Sequence, residues 1–482
     1  MTKITRKQKI HKKSMAAFHD EEHGGSGAIK TRSTVAWHES IGDSTTRIAE
    51  FIFDEWDFNN KSGQLTLQYK YSDGLSFVEK IEFGKSQNPD LVDYRALERI
   101  ASFLHIACGV SYYKAALPPS LLVKDSLSPI AHEFFKNFYF QGLAEFAYRN
   151  QVDLTDRLTF LHQVRRAGPI QARLPNRALV PIGGGKDSLT SVGIMQNTGR
   201  DFSLFAVNPS RVTLACTTIA RASLVQVRRT LSTNLFLLND HGYPNGHVPI
   251  TGIISLIACF AALWHGFRDI IMSNERSANV GNLQSFGIDV NHQYSKSLDF
   301  ENRLRILLRE DGVSNLNYFS LLRPLSELSI ARQFSKQSDY DDTFTSCNRV
   351  FRIRNPQTDQ LWCGECAKCH FVFLSLATSF DKQRLVRIFG RNLLDDPANM
   401  PSYSALVGTS GHKPWECVGE TEEAAAAIGL LADSKIWRTD VVVTQQWKAL
   451  ESKRERVRRA MREVFVHSDD HNVPRELIPY LM

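Results

Sequence analysis

Residues 63–84, GQLTLQYKYSDGLSFVEKIEFG, alternate apolar and polar side chains around a central Ser72-Asp73-Gly74. A period of two marks half-buried strands, and Asp-Gly between two such runs supplies a tight turn, so a small antiparallel β unit is expected here. Between about residue 91 and residue 150 the period lengthens. LVDYRALERIASFLHIACGVSYYKAA and AHEFFKNFYFQGLAEFAYRN both carry apolar residues at helical spacing, with Pro118-Pro119 breaking between them. The many aromatics of the second stretch read as a thick helix core.

From Arg177 to about Ser335 the pattern changes again. Short apolar runs that read as strands (RALVPI, FSLFAVN, LFLLN, DIIMSN and NYFSLL) alternate with helical stretches such as SLTSVGIMQ. That alternation predicts an α/β fold with a doubly wound, mostly parallel sheet. Ligands bind such sheets beyond the carboxyl ends of the strands. This directs attention to residues 183–188, Asn208, Asn239-Asp240, residues 273–282 and Arg323.

The longest apolar run, VPITGIISLIACFAALW, covers residues 248–264. It is borderline short for a membrane span, carries Pro249 and Gly252, and is bracketed by His247 and His265 instead of cationic anchors. It reads as a helix buried in the α/β domain, and the protein is expected to be cytoplasmic with no membrane partner. Near the end, WKALESKRERVRRAMREVF reads as a helix with a solvated cationic face.

A length of 482 residues suits two to four domains of roughly 100–200 residues each. The chain is 43% hydrophobic and 23% charged, an ordinary globular composition. Its net charge of +7 is carried by one end: the first 13 residues hold six cations and no acid, leaving 52 basic against 51 acidic residues elsewhere. A near-neutral body counts against nucleic-acid binding. The expected organisation is a disordered basic tail (1–45), an N-terminal β plus helical region (46–170) and a nucleotide-binding α/β domain (171–345). A cysteine knuckle (346–380) and a mostly helical C-terminal region (381–482) follow.

Of eight cysteines, Cys347, Cys363, Cys366 and Cys369 are spaced C-x15-C-x2-C-x2-C. Four thiolates at this spacing suit a structural tetrahedral Zn²⁺, and such clustering belongs to a reducing compartment. A [4Fe–4S] cluster is the alternative.

The stretch LVPIGGGKDSLTS begins at Leu179. A strand, three glycines and a helix start make a phosphate trap. Backbone approaches an anion without Cβ clashes, and the amides and helix dipole point at it. The pattern is neither Walker A nor G-x-G-x-x-G. It resembles the S-G-G-x-D-S loop of PP-loop ATP pyrophosphatases, with Gly183 where many of those have serine. That likeness implies that Gly183, Gly184, Gly185, Lys186 and Ser188 hold ATP phosphates, that Asp187 holds Mg²⁺, and that Asn208 lies near the nucleotide.

Further stretches narrow the likeness: GVSYYKA, EFAYRN, SNERSANVGN, VNHQYSKS, CGECAKCHFVFL and GHKPWECVGE. With IGGGKDS, they make residues 50–440 similar to the MurL family of UDP-MurNAc-L-alanyl-L-glutamate epimerases. The resemblance implies inversion of the terminal L-glutamate of UDP-MurNAc-L-Ala-L-Glu, with consumption of ATP and Mg²⁺ and release of AMP and pyrophosphate. It also implies a functional link to the ligase that adds L-glutamate to UDP-MurNAc-L-Ala. Candidate substrate contacts are Arg276, Asn279, Asn282, Tyr294, Lys296, Arg323 and Glu327. Proton-transfer candidates are His292, which titrates near neutrality, the Cys417 thiolate and Glu275. Two rival readings are an RNA- or nucleobase-modifying PP-loop enzyme and an ATP-sensing regulator.

Overall fold

The alternating segment folds as its pattern demands. In this computed structural model, which describes residues 48–279, 281, 283–285, 288–350, 360–411 and 413–481, β2 (Gln64–Tyr71) and β3 (Ser76–Glu82) form an antiparallel hairpin. Gly74 takes φ +95° at the turn and donates to the Tyr71 carbonyl at 3.0 Å. The basic tail (1–45) and Asn282 lie outside the described residues. A strand not anticipated from the pattern, β1 (Glu50–Asn59), pairs antiparallel with β2 and carries a bulge between Phe53 and Trp56. β4 (Ser120–Val123) and β5 (Thr159–Leu161) extend this unit in parallel.

The parallel part consists of β6 (Ala178–Pro181), β7 (Phe202–Val207), β8 (Leu224–Thr230), β9 (Asp269–Met272) and β12 (Asn317–Ser320). β10 (Leu283–Ser285) and β11 (Ile288–Val290) form a separate ribbon. The hairpin is not a separate layer. β3 pairs antiparallel with β8, giving one ten-stranded sheet ordered β12-β9-β6-β7-β8-β3-β2-β1-β4-β5. The seam between the two halves is fixed by a buried ion pair, Arg229 Nε to Glu79 Oε1 at 2.7 Å, with Tyr112 donating to Glu79 at 2.8 Å.

One expected strand is corrected. LFLLN lies within helix Thr233–Asp240, and the strand is the preceding β8. β8 reads Leu-Val-Gln-Val-Arg-Arg-Thr, with Val225 and Val227 buried and Gln226, Arg228 and Thr230 facing outward. Its apolar content is diluted because only one of its faces is dry. The 248–264 run is helix Ile250–His265, nearly all buried and packed on helix Tyr94–Tyr113. Among the described residues no helix is long and apolar enough to cross a membrane. The stretch expected as one helix near residue 450 is helix Val441–Ala449, a 3₁₀ turn and helix Arg454–Glu463. The C-terminal helices share one apolar core with the helix after β6, so this region is packed against the sheet.

In spatial order the chain leaves β6 toward β7 and β8, then returns to β9 and β12 on its other side. The direction of winding therefore reverses between β6 and β9. At such a switch point the two following loops diverge and open a crevice. Those loops are the glycine turn and the segment beginning at Ser273.

Candidate active site

The glycine turn follows β6 and leads into helix Lys186–Thr198. Gly185 stands at the N-cap and so offers no side-chain acceptor to the first-turn amides. Each glycine has its own constraint. Gly184 has φ +90°, and a Cβ there would meet Val212 Cγ1 at 2.8 Å. A Cβ on Gly185 would meet Ser346 Oγ at 2.6 Å, whereas one on Gly183 would point into open space. The turn is pinned from behind: Thr345 N–H donates to Gly184 O and Thr213 Oγ1 to Gly183 O, both at 3.1 Å. Ser188 Oγ accepts from Gly183 N–H at 3.3 Å and donates to Gly185 O at 3.0 Å.

Lys186 is fully buried and bonds both Asp187 and Glu327, the first residue of helix Glu327–Phe334. Burial alone would lower the lysine, but the two carboxylates hold it well above its usual range. Burial works against ionised Asp187 too, and Lys186, with Lys368 and Lys296, outweighs it and keeps the group low. Glu327 goes the other way. Burial raises it, Lys186 opposes, and the charges of Asp187 and Glu275 add to the rise. Glu423, which accepts from Leu328 N–H at 3.2 Å, is pushed up to about 8 by burial and by Glu327 and Glu275.

A second group gathers around Cys417, which is partly exposed. Lys296 Nζ lies 3.3 Å from its sulfur, and His292 hydrogen-bonds it. The Lys368 ammonium donates to the Cys417 carbonyl, and the Lys368 N–H to Glu416 Oε2 at 2.7 Å. His292 Nδ1 faces Glu145 Oε2, and His247 Nδ1 lies 3.4 Å from the same oxygen. Burial would raise the Cys417 thiol, but Lys296, the His292 bond and Lys368 bring it down to about 6. Burial would lower His292, but its bonds to Cys417 and Glu145 lift it to about 9. Burial, helped by the His292 charge, holds His247 at about 4. At neutral pH the arrangement is a thiolate beside an imidazolium.

Several sequence candidates make hydrogen bonds within the protein. Arg323 is fully buried and donates at 2.6 Å to the carbonyls of Glu275 and Lys296, tying the two loops together. Asn208 uses both ends of its amide on the Arg229 backbone, bridging the end of β7 to β8. Tyr294 donates to Asn137 and Asp299, and Asn279 accepts from Leu298 N–H at 2.7 Å. Glu275 accepts from Ser277 N–H, and Arg276 donates to Val466 O at 3.3 Å. Glu145, His247 and Lys368 were not among the sequence candidates. Glu145 stood inside the quoted EFAYRN, His247 marked only the end of an apolar run, and Lys368 was hidden between two cysteines.

The four clustered cysteines converge. Cys363 and Cys369 sulfurs are 3.7 Å apart, Cys347 and Cys366 sulfurs 4.0 Å, and all four lie within 4.8 Å of one another. Thiolates at ~2.3 Å from a tetrahedral ion stand about 3.8 Å apart, so the set fits zinc. His370 is turned to Ser402 Oγ and to the Gly364 carbonyl, at 2.7 and 3.1 Å, which places it behind the knuckle.

The family model described as the MurL N-terminal domain matches residues 43–321, and that of the MurL C-terminal domain matches residues 343–461. Three curated relatives carry the name UDP-N-acetyl-alpha-D-muramoyl-L-alanyl-L-glutamate epimerase. One from Xanthomonas oryzae pv. oryzae is 40% identical over 400 residues, 82% of this chain and 89% of the relative. One from Salinispora tropica is 40% identical over 410 residues, 83% and 88% of the two chains. One from Micromonospora sp. is 38% identical over 442 residues, 89% and 96% of the two chains.

Proposed function

The chain belongs to the MurL family and is an enzyme of the epimerase class, and we propose that it inverts the terminal L-glutamate of UDP-MurNAc-L-Ala-L-Glu at the cost of ATP, for peptidoglycan precursor synthesis. Family membership sets the RNA-modifying and ATP-sensing readings aside. The observation that carries the mechanism is the meeting of two segments more than 200 residues apart. The glycine turn at the switch point and the Cys417 thiolate face the same lysines, Lys296 and Lys368.

The turn fits phosphates as a PP-loop does: open space above Gly183, a positive-φ glycine, an N-cap without a side chain and a buried lysine behind it. Asp187 would hold Mg²⁺, which shields phosphate charge when bound. The four cysteines would hold zinc as a structural clasp.

An α-hydrogen next to a free carboxylate is very weakly acidic, because its removal makes a dianion. Attack of the substrate carboxylate on the α-phosphate of ATP forms a C–O–P link and releases pyrophosphate. The acyl group then has no charge and accepts an electron pair. Cys417 thiolate takes the α-proton: the C–H bond breaks, S–H forms, and the pair moves onto the acyl oxygen. The preceding amide carbonyl can also close on the activated carbon as an oxazolone, which eases the same step. Return of a proton to the opposite face and hydrolysis by water give the D-residue and AMP. Lys296 and Lys368 would offset negative charge throughout, and Arg276, whose Nη1 donates to Val466 O, would offer the rest of its guanidinium to a substrate anion.

The test is incubation of the protein with ATP, Mg²⁺ and UDP-MurNAc-L-Ala-L-Glu in D₂O. AMP, pyrophosphate, a D-glutamyl product and α-deuterium are expected, and Asp187→Ala abolishes all four. A D-glutamyl product formed without nucleotide consumption would sink the adenylation step.

A further inference from the structure

We propose, resting on the reaction above, that Glu145 is a positioning residue that clamps His292 against Cys417, so that carboxylate, imidazole and sulfur act as one relay with the sulfur at its reacting end.

Three separate segments build the relay. Glu145 comes from helix Ala144–Asn150, His292 from the turn after β11, and Cys417 from the loop before helix Thr421–Asp433. The Glu145 side chain is 4% exposed. Its Oε2 meets His292 Nδ1, and its Oε1 accepts from Arg149 Nε at 2.6 Å. A buried carboxylate is costly unless its lone pairs are used, and here both oxygens are committed. The same helix holds the cysteine loop. Tyr148 stacks on Trp415 with ring centroids 5.4 Å apart, and the Arg149 guanidinium lies 5.2 Å from the Trp415 ring. Glu145, Tyr148 and Arg149 stand at i, i+3 and i+4, on one helix face. One face therefore orients the histidine and seats the loop that carries the thiol two residues after Trp415.

The groups around the relay set the direction of its response. Cys417 is faced by Lys296 from its own turn, by Lys368 from helix Ala367–Ala377, by Lys413 from the loop, and by His292. His292 is faced by Glu145, His247 and Cys417. With Glu145 ionised, the imidazole keeps its proton while it bonds the thiolate. Without that charge His292 loses one of its two anionic partners, and the thiolate keeps only its lysines.

The experiment uses the full chain and the variants Glu145→Gln and Glu145→Asp. Iodoacetamide labelling of Cys417 is followed against pH by peptide mass spectrometry, alongside ATP–pyrophosphate exchange and α-deuterium incorporation. Glu145→Gln is expected to move the labelling midpoint upward by about one pH unit and to slow α-deuterium incorporation at least ~10-fold. Pyrophosphate exchange should be unchanged, and Glu145→Asp should recover part of both losses. An unmoved midpoint in Glu145→Gln overturns the proposal, because a merely structural carboxylate would leave it in place. So does a metal ion beyond the four-cysteine site that disappears in that variant, since Glu145, His247 and His292 offer ligand atoms within 4.8 Å of one another. Absence of pyrophosphate exchange in the unaltered protein would instead count against adenylation, while the midpoint still decides the role of Glu145.

Discussion

Lys296 Nζ sits 3.3 Å from Cys417 Sγ, close enough that the ammonium, more than any other neighbour, favours the ionised sulfur. The same turn offers its Lys296 carbonyl to buried Arg323, which also donates to the Glu275 carbonyl, so the backbone that carries the ammonium is tied to the loop after β9.

This pair makes the reaction pH-dependent in a stated direction. The acidic limb of α-deuterium incorporation should fall through about pH 6 as the thiolate is protonated, and the alkaline limb should fall near 9 as His292 loses its proton. The two values belong to the coupled pair. Lys296→Met removes the largest lowering influence on Cys417, so the acidic limb should move upward. A pH–rate profile with an unmoved limb would detach Lys296 from the chemistry.

The glycines of the turn should separate folding from nucleotide use. Gly183→Ala adds a methyl where nothing lies within 4 Å, so stability should stay within about 0.5 kcal/mol. The methyl enters the space proposed for phosphates, and pyrophosphate exchange should drop at least tenfold. Gly184→Ala meets Val212 and a φ of +90°, and should lose about 1–3 kcal/mol. Urea denaturation and an exchange assay on both variants check the contrast.

Metal analysis should find one zinc per chain in a colourless preparation. Cys363→Ser should lose that zinc and melt at lower temperature, whereas Asp187→Ala should retain it. Visible absorbance with iron and sulfide would replace the zinc reading by a cluster.

The seam of the sheet should be sensitive to half-removal of its ion pair. Glu79→Ala leaves Arg229 buried and uncompensated, and should cost about 3–5 kcal/mol by chemical denaturation. The double variant Glu79→Leu with Arg229→Met should cost less than the single change.

The parts of this molecule legible in the sequence are those where one local rule decides. Alternation and Asp-Gly mark the β2–β3 hairpin, thiol spacing marks the four sulfurs that converge, and the glycine run marks the tight turn from β6 into helix Lys186–Thr198. β8 was missed because half of its residues are polar, although its inward Val225 and Val227 are fully buried. LFLLN misled because five residues of high apolar content fit a short helix as well as a strand. The Cys417 site was half legible. Cys417, His292 and Lys296 stood out by type, but nothing local links Glu145 to residues about 150 and 270 positions away. Arg323 and Asn208 were placed at the right edge of the sheet, where charge and polarity equally suit a scaffold.

The pairing of β3 with β8 also has a meaning for the integrity of the parallel half of the sheet. Without residues 50–82 the backbone of Arg228, Arg229 and Thr230, which β3 pairs, would join the rest of the β8 edge as an open ladder, the kind that recruits foreign strands. A fragment beginning at residue 171 should therefore self-associate, because it bares this edge together with the apolar face of helix Ile250–His265 that packs on helix Tyr94–Tyr113.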